Sequence, residues 1–490
     1  MRKLLLATAA IVGASVGTMG LAMAQAPETL QGTVATPANG GSYTYGDNNY
    51  MGGTMTKGLE VNPTPGTMVI RLGVKMLVSA GTNWSNLDKY SGPGPVGSGS
   101  TVAGARKLYP QQISEYVWFF PGMDAMASNG LRYGAAAEIR QNFPAAAQAE
   151  LLTNGGTVNT SSQTLFVRRA FAYLAGSFGI VRVGEFDGLI GTYDEGGMTT
   201  GVFLSPSGTI VGGNLESAYP GNAYMLPYFA AQTGNEYGNA KIVYLSPSFN
   251  GFDFGLQYAP NPFNGNQSQP IDGSCPSAAG GGCPNVGSNS AFGSGSVSMN
   301  EYSVGVRYQH AVGPAAVLAY AVYFGSGHTD YTGGAAAAEA LTGNPHYTGQ
   351  FDNISLGMFG ANVTVAGVSV FGNVMYGAYN GILATKPRGA PDAIGFGTGL
   401  KYSFGPYSVG AVYSQYDSQG AFNLVGISQR HEWAFEAAAT YSPAPGLVLF
   451  TDYNYSGRHQ SDYNFATGEV GSAYNNVNSQ GVQVGMMVKW

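Results

Sequence analysis

The segment Gln480–Trp490 alternates without a break: Val482, Val484, Met486, Val488 and Trp490 fall on one face, and Gln483, Met487 and Lys489 on the other. A period of two puts successive side chains on opposite sides of a strand and cannot form the apolar stripe of a helix. Thr67–Trp84 repeats the pattern, with Met68, Ile70, Leu72, Val74 and Met76 set against Arg71, Gly73 and Lys75. Beyond the N-terminus no apolar run reaches the roughly 18 residues a membrane helix needs. The nearest, Ala315–Gly325, is about half that length. A chain that meets lipid with such segments must do so through strands that alternate apolar-out and polar-in.

Between these two segments the same unit recurs: a long irregular stretch, a strand, a short turn, a strand. The hairpins expected are Tyr116–Met126 with Leu131–Asn142, Gln163–Leu174 with the segment after Gly179, Lys241–Ser246 with Phe252–Tyr258, and Glu301–His310 with Ala316–Phe324. They continue as Asn353–Val363 with Val368–Tyr379, Ala393–Phe404 with Tyr407–Tyr416, and His431–Tyr441 with Leu447–Tyr455. With one strand before and one after, the chain predicts an all-β transmembrane antiparallel barrel of roughly 16 strands. One misread hairpin would make it about 14 or 18. Pairing of the first strand with the last removes both open edges. The short turns then lie at the periplasmic end and the long connections at the extracellular end. Tyr and Phe recur near strand ends, as in Tyr402/Phe404, Trp433/Phe435 and Tyr453/Tyr455, as two interfacial belts require. Charged residues are only 10% of the chain, against about 25% in soluble domains.

The stretch Ser162–Phe186, SQTLFVRRAFAYLAGSFGIVRVGEF, turns at Gly176-Ser177-Phe178-Gly179. Strict alternation puts Leu165, Val167, Phe171 and Tyr173 outward and Arg168 and Arg182 inward, and leaves Arg169 facing lipid, where charge is costly. An interfacial position or a subunit contact would accommodate it. The run RRAFAYLAGSFGIVRVG resembles the hairpin that precedes the constricting loop of general bacterial porins. That resemblance implies a water-filled outer-membrane channel for passive movement of small hydrophilic solutes and ions, a homotrimer in outer-membrane lipid, and a third extracellular loop folded into the lumen. It further implies that Trp490 is the terminal aromatic read by the barrel-assembly machinery. The third long connection carries Asp187, Asp194, Glu195, Glu216 and Glu236, with no Lys, Arg or His from Glu185 to Ala240. Folded inward, it would set carboxylates against Arg71, Lys75, Arg132, Arg140, Arg168 and Arg182 across a constriction. Two family features are missing: the Pro-Glu-Phe-Gly-Gly run, and a Gly-Arg-Gln strand end, here Gly184-Glu185-Phe186.

Met1–Ala24 has Arg2-Lys3, an apolar stretch and the exit Ala22-Met23-Ala24, and reads as a secretory signal. Its removal takes the net charge from −6 to −8, which argues against a nucleic-acid partner. Residues 25–66 read as a flexible periplasmic extension and 67–490 as the barrel. Cys275 and Cys283, in a turn-rich segment of an exported chain, are expected to form a small disulfide loop. No enzyme, metal or cofactor site is expected. His431-Glu432 begins like HExxH but has Phe435 at the fifth position, and Gly395–Gly399 opens no helix. The function expected is a general diffusion channel. A sugar- or organic-acid-selective channel on the same barrel is the alternative, with a barrel-anchored adhesin or outer-membrane hydrolase as the reading from another class.

Overall fold

A computed structural model describes residues 63–86, 91–92, 104–105, 111–142, 165–186, 188–193, 240–260, 297–329, 351–380, 386–420, 428–466 and 469–489. Sixteen antiparallel strands close into a barrel in which each pairs with its neighbours in sequence. They are β1 (Met68–Ser85), β2 (Gln111–Met126), β3 (Arg132–Asn142), β4 (Phe166–Gly176), β5 (Gly179–Glu185), β6 (Ala240–Leu245), β7 (Phe252–Ala259) and β8 (Val297–Val312). The circuit continues with β9 (Ala315–Thr329), β10 (Ser355–Val365), β11 (Val368–Ala378), β12 (Ala393–Phe404), β13 (Tyr407–Ser418), β14 (Arg430–Ala444), β15 (Leu447–His459) and β16 (Asn476–Lys489). Closure runs from Lys75 opposite Lys489 to Ser85 opposite Ser479, so the ladder has no free edge. Among the described residues one short helix, α1 (Leu189–Tyr193), follows β5. No described helix is long and apolar enough to cross a membrane.

Alternation explains the wall. On β7, Phe252, Phe254, Leu256 and Tyr258 are exposed on the outer side, while Asp253, Gly255, Gln257 and Ala259 are buried on the inner side. The backbone satisfies itself strand to strand, and only the side chains distinguish lipid from lumen. The short turns that reverse the chain use residues suited to the job. Gly313-Pro314 and Gly405-Pro406 each place glycine at positive φ (58° and 55°) as the first of two turn residues, a geometry that matches strand twist and suits glycine best. At the same end the chain enters β1 through a turn at Thr64–Thr67, where the Gly66 amide donates to the Met126 carbonyl (2.7 Å).

The outer face carries two aromatic belts on β12–β15. Tyr402, Phe404, Tyr407 and Tyr441 stack in a row near the short turns, with ring centroids 5.1, 5.5 and 4.9 Å apart. Trp433 meets Tyr455 edge-on at 5.0 Å toward the other end. Tyr441 and Trp433 are separated on β14 by about 26 Å of strand, which on tilting fits an apolar band on the order of 25 Å tall.

The β4 hairpin departs from strict alternation. Glu138 lies opposite Arg169 but Ile139 lies opposite Val167, which leaves Arg168 as the extra residue of a β-bulge. One extra residue reverses the faces of everything after it. Val167 does face outward, yet Phe171 and Tyr173 face inward, and Ala170, Ala172 and Leu174 take the exposed side. Arg169 is therefore inside the barrel, 2% exposed and 3.2 Å from Glu138, and the expected charge in lipid does not arise.

Candidate functional site in the lumen

The chain leaves β5 inward. Phe186 is buried against Phe171 (ring centroids 5.0 Å apart). Lys241 of β6 donates from Nζ to the Phe186 carbonyl at 2.6 Å and lies 5.6 Å over its ring. Arg182 covers Phe171 at 5.5 Å. Cations over aromatic faces hold the exit point by electrostatic attraction where little water competes.

Five apolar or small residues then form α1, and all five are buried. The helix packs on the inner faces of β7, β8 and β9. The Leu189 amide donates to Gln257 Oε1 at 2.7 Å, and the Arg307 guanidinium lies 5.0 Å from the Tyr193 ring centre while pairing with Asp253 at 3.0 Å. Two strand glycines make the seat. A Cβ on Gly255 would come within 2.5 Å of Leu189 Cδ2, and one on Gly305 within 2.8 Å of the Tyr193 ring. Side-chain-free positions in a strand interior fit close approach of another segment.

Of the cations expected in the lumen, Lys75, Arg132 and Arg182 are buried on the inner face, with Lys75 Nζ 4.1 Å over the Trp118 ring. Arg71, Arg140 and Arg168 lie on β1, β3 and β4, but their side chains fall outside the described residues, as do Asp187, Asp194, Glu195, Glu216, Cys275, Cys283 and Trp490. The sequence reading missed Lys241, Asp253 and Arg307. It also missed a second charged patch on β14 and β15. There Arg458 meets Glu432 at 2.5 Å, and Arg430 donates to Gln460 Oε1 at 2.9 Å beneath Tyr463 and Phe465 (5.2 and 5.1 Å). Farther down the same wall stand Glu436 and Asp452, 1% and 3% exposed. Carrying the inward parity along β6, β7, β8, β14 and β15 would have found all of these.

The result is a closed wall, apolar outside and charged inside, with a segment of the third connection seated on its inner surface. That arrangement suits a passage for polar solutes through lipid. The Gram-negative porin family model matches residues 96–461, more than half of the chain. The chain belongs to the Gram-negative porin family. It is an outer-membrane porin channel.

Among solved structures, this porin is similar to one described as a porin refined at 1.8 Å (12% identity, TM-score 0.44), covering 86% of this chain and 100% of the other. The anion-selective porin from Comamonas acidovorans shares 13% identity with a TM-score of 0.47 over the same shares. A loop L8 deletion mutant of OmpT, an outer membrane protein of Vibrio cholerae, shares 10% with a TM-score of 0.45, covering 86% and 99%. None of the curated proteins compared by sequence matches the chain. Within the porin's wall, His431 and Glu432 are adjacent on β14 and so face opposite ways. His431 Nδ1 meets Asp417 at 2.6 Å while Glu432 meets Arg458, which separates the two residues that began the HExxH reading.

Proposed function

We propose that this porin is a general diffusion channel whose width and transverse field are set by its third long connection, residues 186–239. The observation that carries this reading is the seating of α1 on the inner wall, because the remaining acidic stretch continues from a point already inside the barrel. Asp187, Asp194, Glu195 and Glu216 would then face Lys75, Arg132 and Arg182, with Arg71, Arg140 and Arg168, across confined water. Opposite charges in a narrow, low-dielectric frame orient dipolar solutes and slow apolar ones. Transport is passive and requires no catalysis or cofactor. The acidic excess favours cations mildly, and salt screens that preference.

Planar-bilayer recording on the purified protein tests this. A linear, unsaturated conductance with cation preference at low salt is expected. Saturation or block by one sugar or organic acid would replace the general channel with a selective one, and absence of an open state would favour an adhesin or hydrolase. The remaining assignments are a signal at 1–24, a periplasmic extension at 25–66, a Cys275–Cys283 disulfide, a homotrimer, and recognition of Trp490 by the assembly machinery. The hydrogen bond from Gly66 to Met126 supports an extension leaving at the short-turn end. Intact-mass analysis with and without reduction reads the first residue and the disulfide, and cross-linking in membranes reads the trimer. Deleting Val488–Trp490 should abolish insertion, so normal surface levels of that variant would contradict the last role.

A further inference from the structure

Glu436 has no hydrogen-bond or ion-pair partner: both carboxylate oxygens are buried and unbonded, and the residue is 1% exposed. Its neighbours make this harder to sustain. Asp452, 3% exposed, lies one diagonal step away on β15 and close enough to repel it. The nearest inward cations on the two strands are Arg430 on β14, six positions or about 20 Å of strand from Glu436, and Arg458 on β15, which lies opposite Glu432, four positions or about 13 Å from Glu436. They are engaged with Gln460 and Glu432. No Lys or Arg occurs on β13. Lys401 stands two strands away on β12, at about 10 Å of sheet spacing. Buried carboxylates are ordinarily paired, metal-bound or neutralised.

Oxygen donors lie beside it on β15 and β16, while buried Val412 stands opposite it on β13 and Ala434 and Ala438 flank it on its own strand. Asn454 lies directly opposite Glu436, and Gln483 lies opposite Asp452 and donates to its Oδ2 at 2.8 Å. Two carboxylates and two amide side chains thus share one inner face of β14, β15 and β16. No three His, Cys, Asp or Glu side chains converge among the described residues, so amide oxygens must complete any coordination. Two carboxylates balance a doubly charged ion, and an all-oxygen set selects a hard one. Calcium accepts six to eight oxygens in loose geometry, whereas magnesium keeps several waters. Four side chains almost fully buried from solvent favour the ion that gives up its water more readily.

We propose that Glu436 and Asp452, with Asn454 and Gln483, form a calcium site in the lumen wall. This inference is independent of the third connection and of the channel's selectivity. The test uses the full-length porin folded in detergent, stripped with chelator and titrated with calcium chloride or magnesium chloride at neutral pH. Binding is read by calorimetry and thermal unfolding.

Calcium should bind at one site per chain and raise the unfolding temperature, more than magnesium at equal concentration. Glu436→Gln and Asp452→Asn should each weaken binding about tenfold or more, since charge count sets affinity in such sites. Without calcium, Glu436→Gln should be at least as stable as the wild type. Should that variant fail to fold, Asp452→Asn carries the same comparison. The proposal is overturned if calcium has no effect on the wild type, or if both variants respond as the wild type does. Stabilisation by acid alone, with no response to calcium, would assign the pair a shared proton and equally overturn it.

Discussion

Arg169 and Glu436 occupy equivalent places, both almost fully buried on the inner face of the barrel, yet their surroundings are opposite. Arg169 meets Glu138 across the β3–β4 pair, in a quadrant where Arg307 likewise meets Asp253 and Lys241 and Arg182 cover aromatic rings. Glu436 has another carboxylate, Asp452, one diagonal step away, in a quadrant where Arg430 likewise lies near Arg458. The first wall spends its charges internally and uses them to hold α1. The second pairs Glu432 with Arg458 but leaves the Glu436 carboxylate without a partner, so ions from solution have a part to play there. A single barrel therefore carries a structural charge network and a responsive one, distinguished by what stands around each residue.

The widest separation should come from removing one charge on each side. Arg169→Ala breaks the buried ion pair with Glu138 and should destabilise the barrel by about 3–5 kcal/mol. Glu436→Gln, in chelated protein, should cost nothing. Denaturant unfolding in detergent measures both, and equal losses would erase the contrast. Next in size is Gly305→Leu, which fills the space of Tyr193. Overpacking of this kind costs about 1–3 kcal/mol, enough to unseat α1, and a barrel with intact insertion should then conduct better. Unchanged conductance with α1 still seated would show that the cradle is looser than its glycines suggest. The smallest effect belongs to the outer surface. Tyr407→Ala interrupts the stacked row and should cost about 0.5–1.5 kcal/mol, with no change in ion selectivity.

Most of the barrel was legible because its signal is local. Thr67–Trp84 and Gln480–Trp490 alternate so regularly that strand, face and closure follow from the same letters. Expected β8 and β9 fell short by several residues at their outer ends, Val297–Asn300 and Gly325–Thr329, where Ser, Gly and His blur the apolar rhythm. The Arg168 bulge was not legible, because counting by two cannot register an extra residue, and the error moved Arg169, Phe171 and Tyr173 to the wrong face. Nor was α1, since Leu189–Tyr193 is too short to show a helical period. Its seat depends on Gly255 and Gly305, which in sequence are two glycines among 75. The Glu436–Asp452 pair comes from two strands joined by a turn, and it appears only once register makes them diagonal neighbours.

The central claim, that the third connection narrows the lumen, is tested most directly by the single-channel conductance of a variant lacking Gly201–Gly213, compared with the intact porin at the same salt. An inward connection predicts a higher conductance in correctly inserted protein, because the deletion removes material from the narrowest section. An unchanged conductance would contradict it, placing the rest of the connection outside the barrel while leaving the sixteen-stranded wall as described.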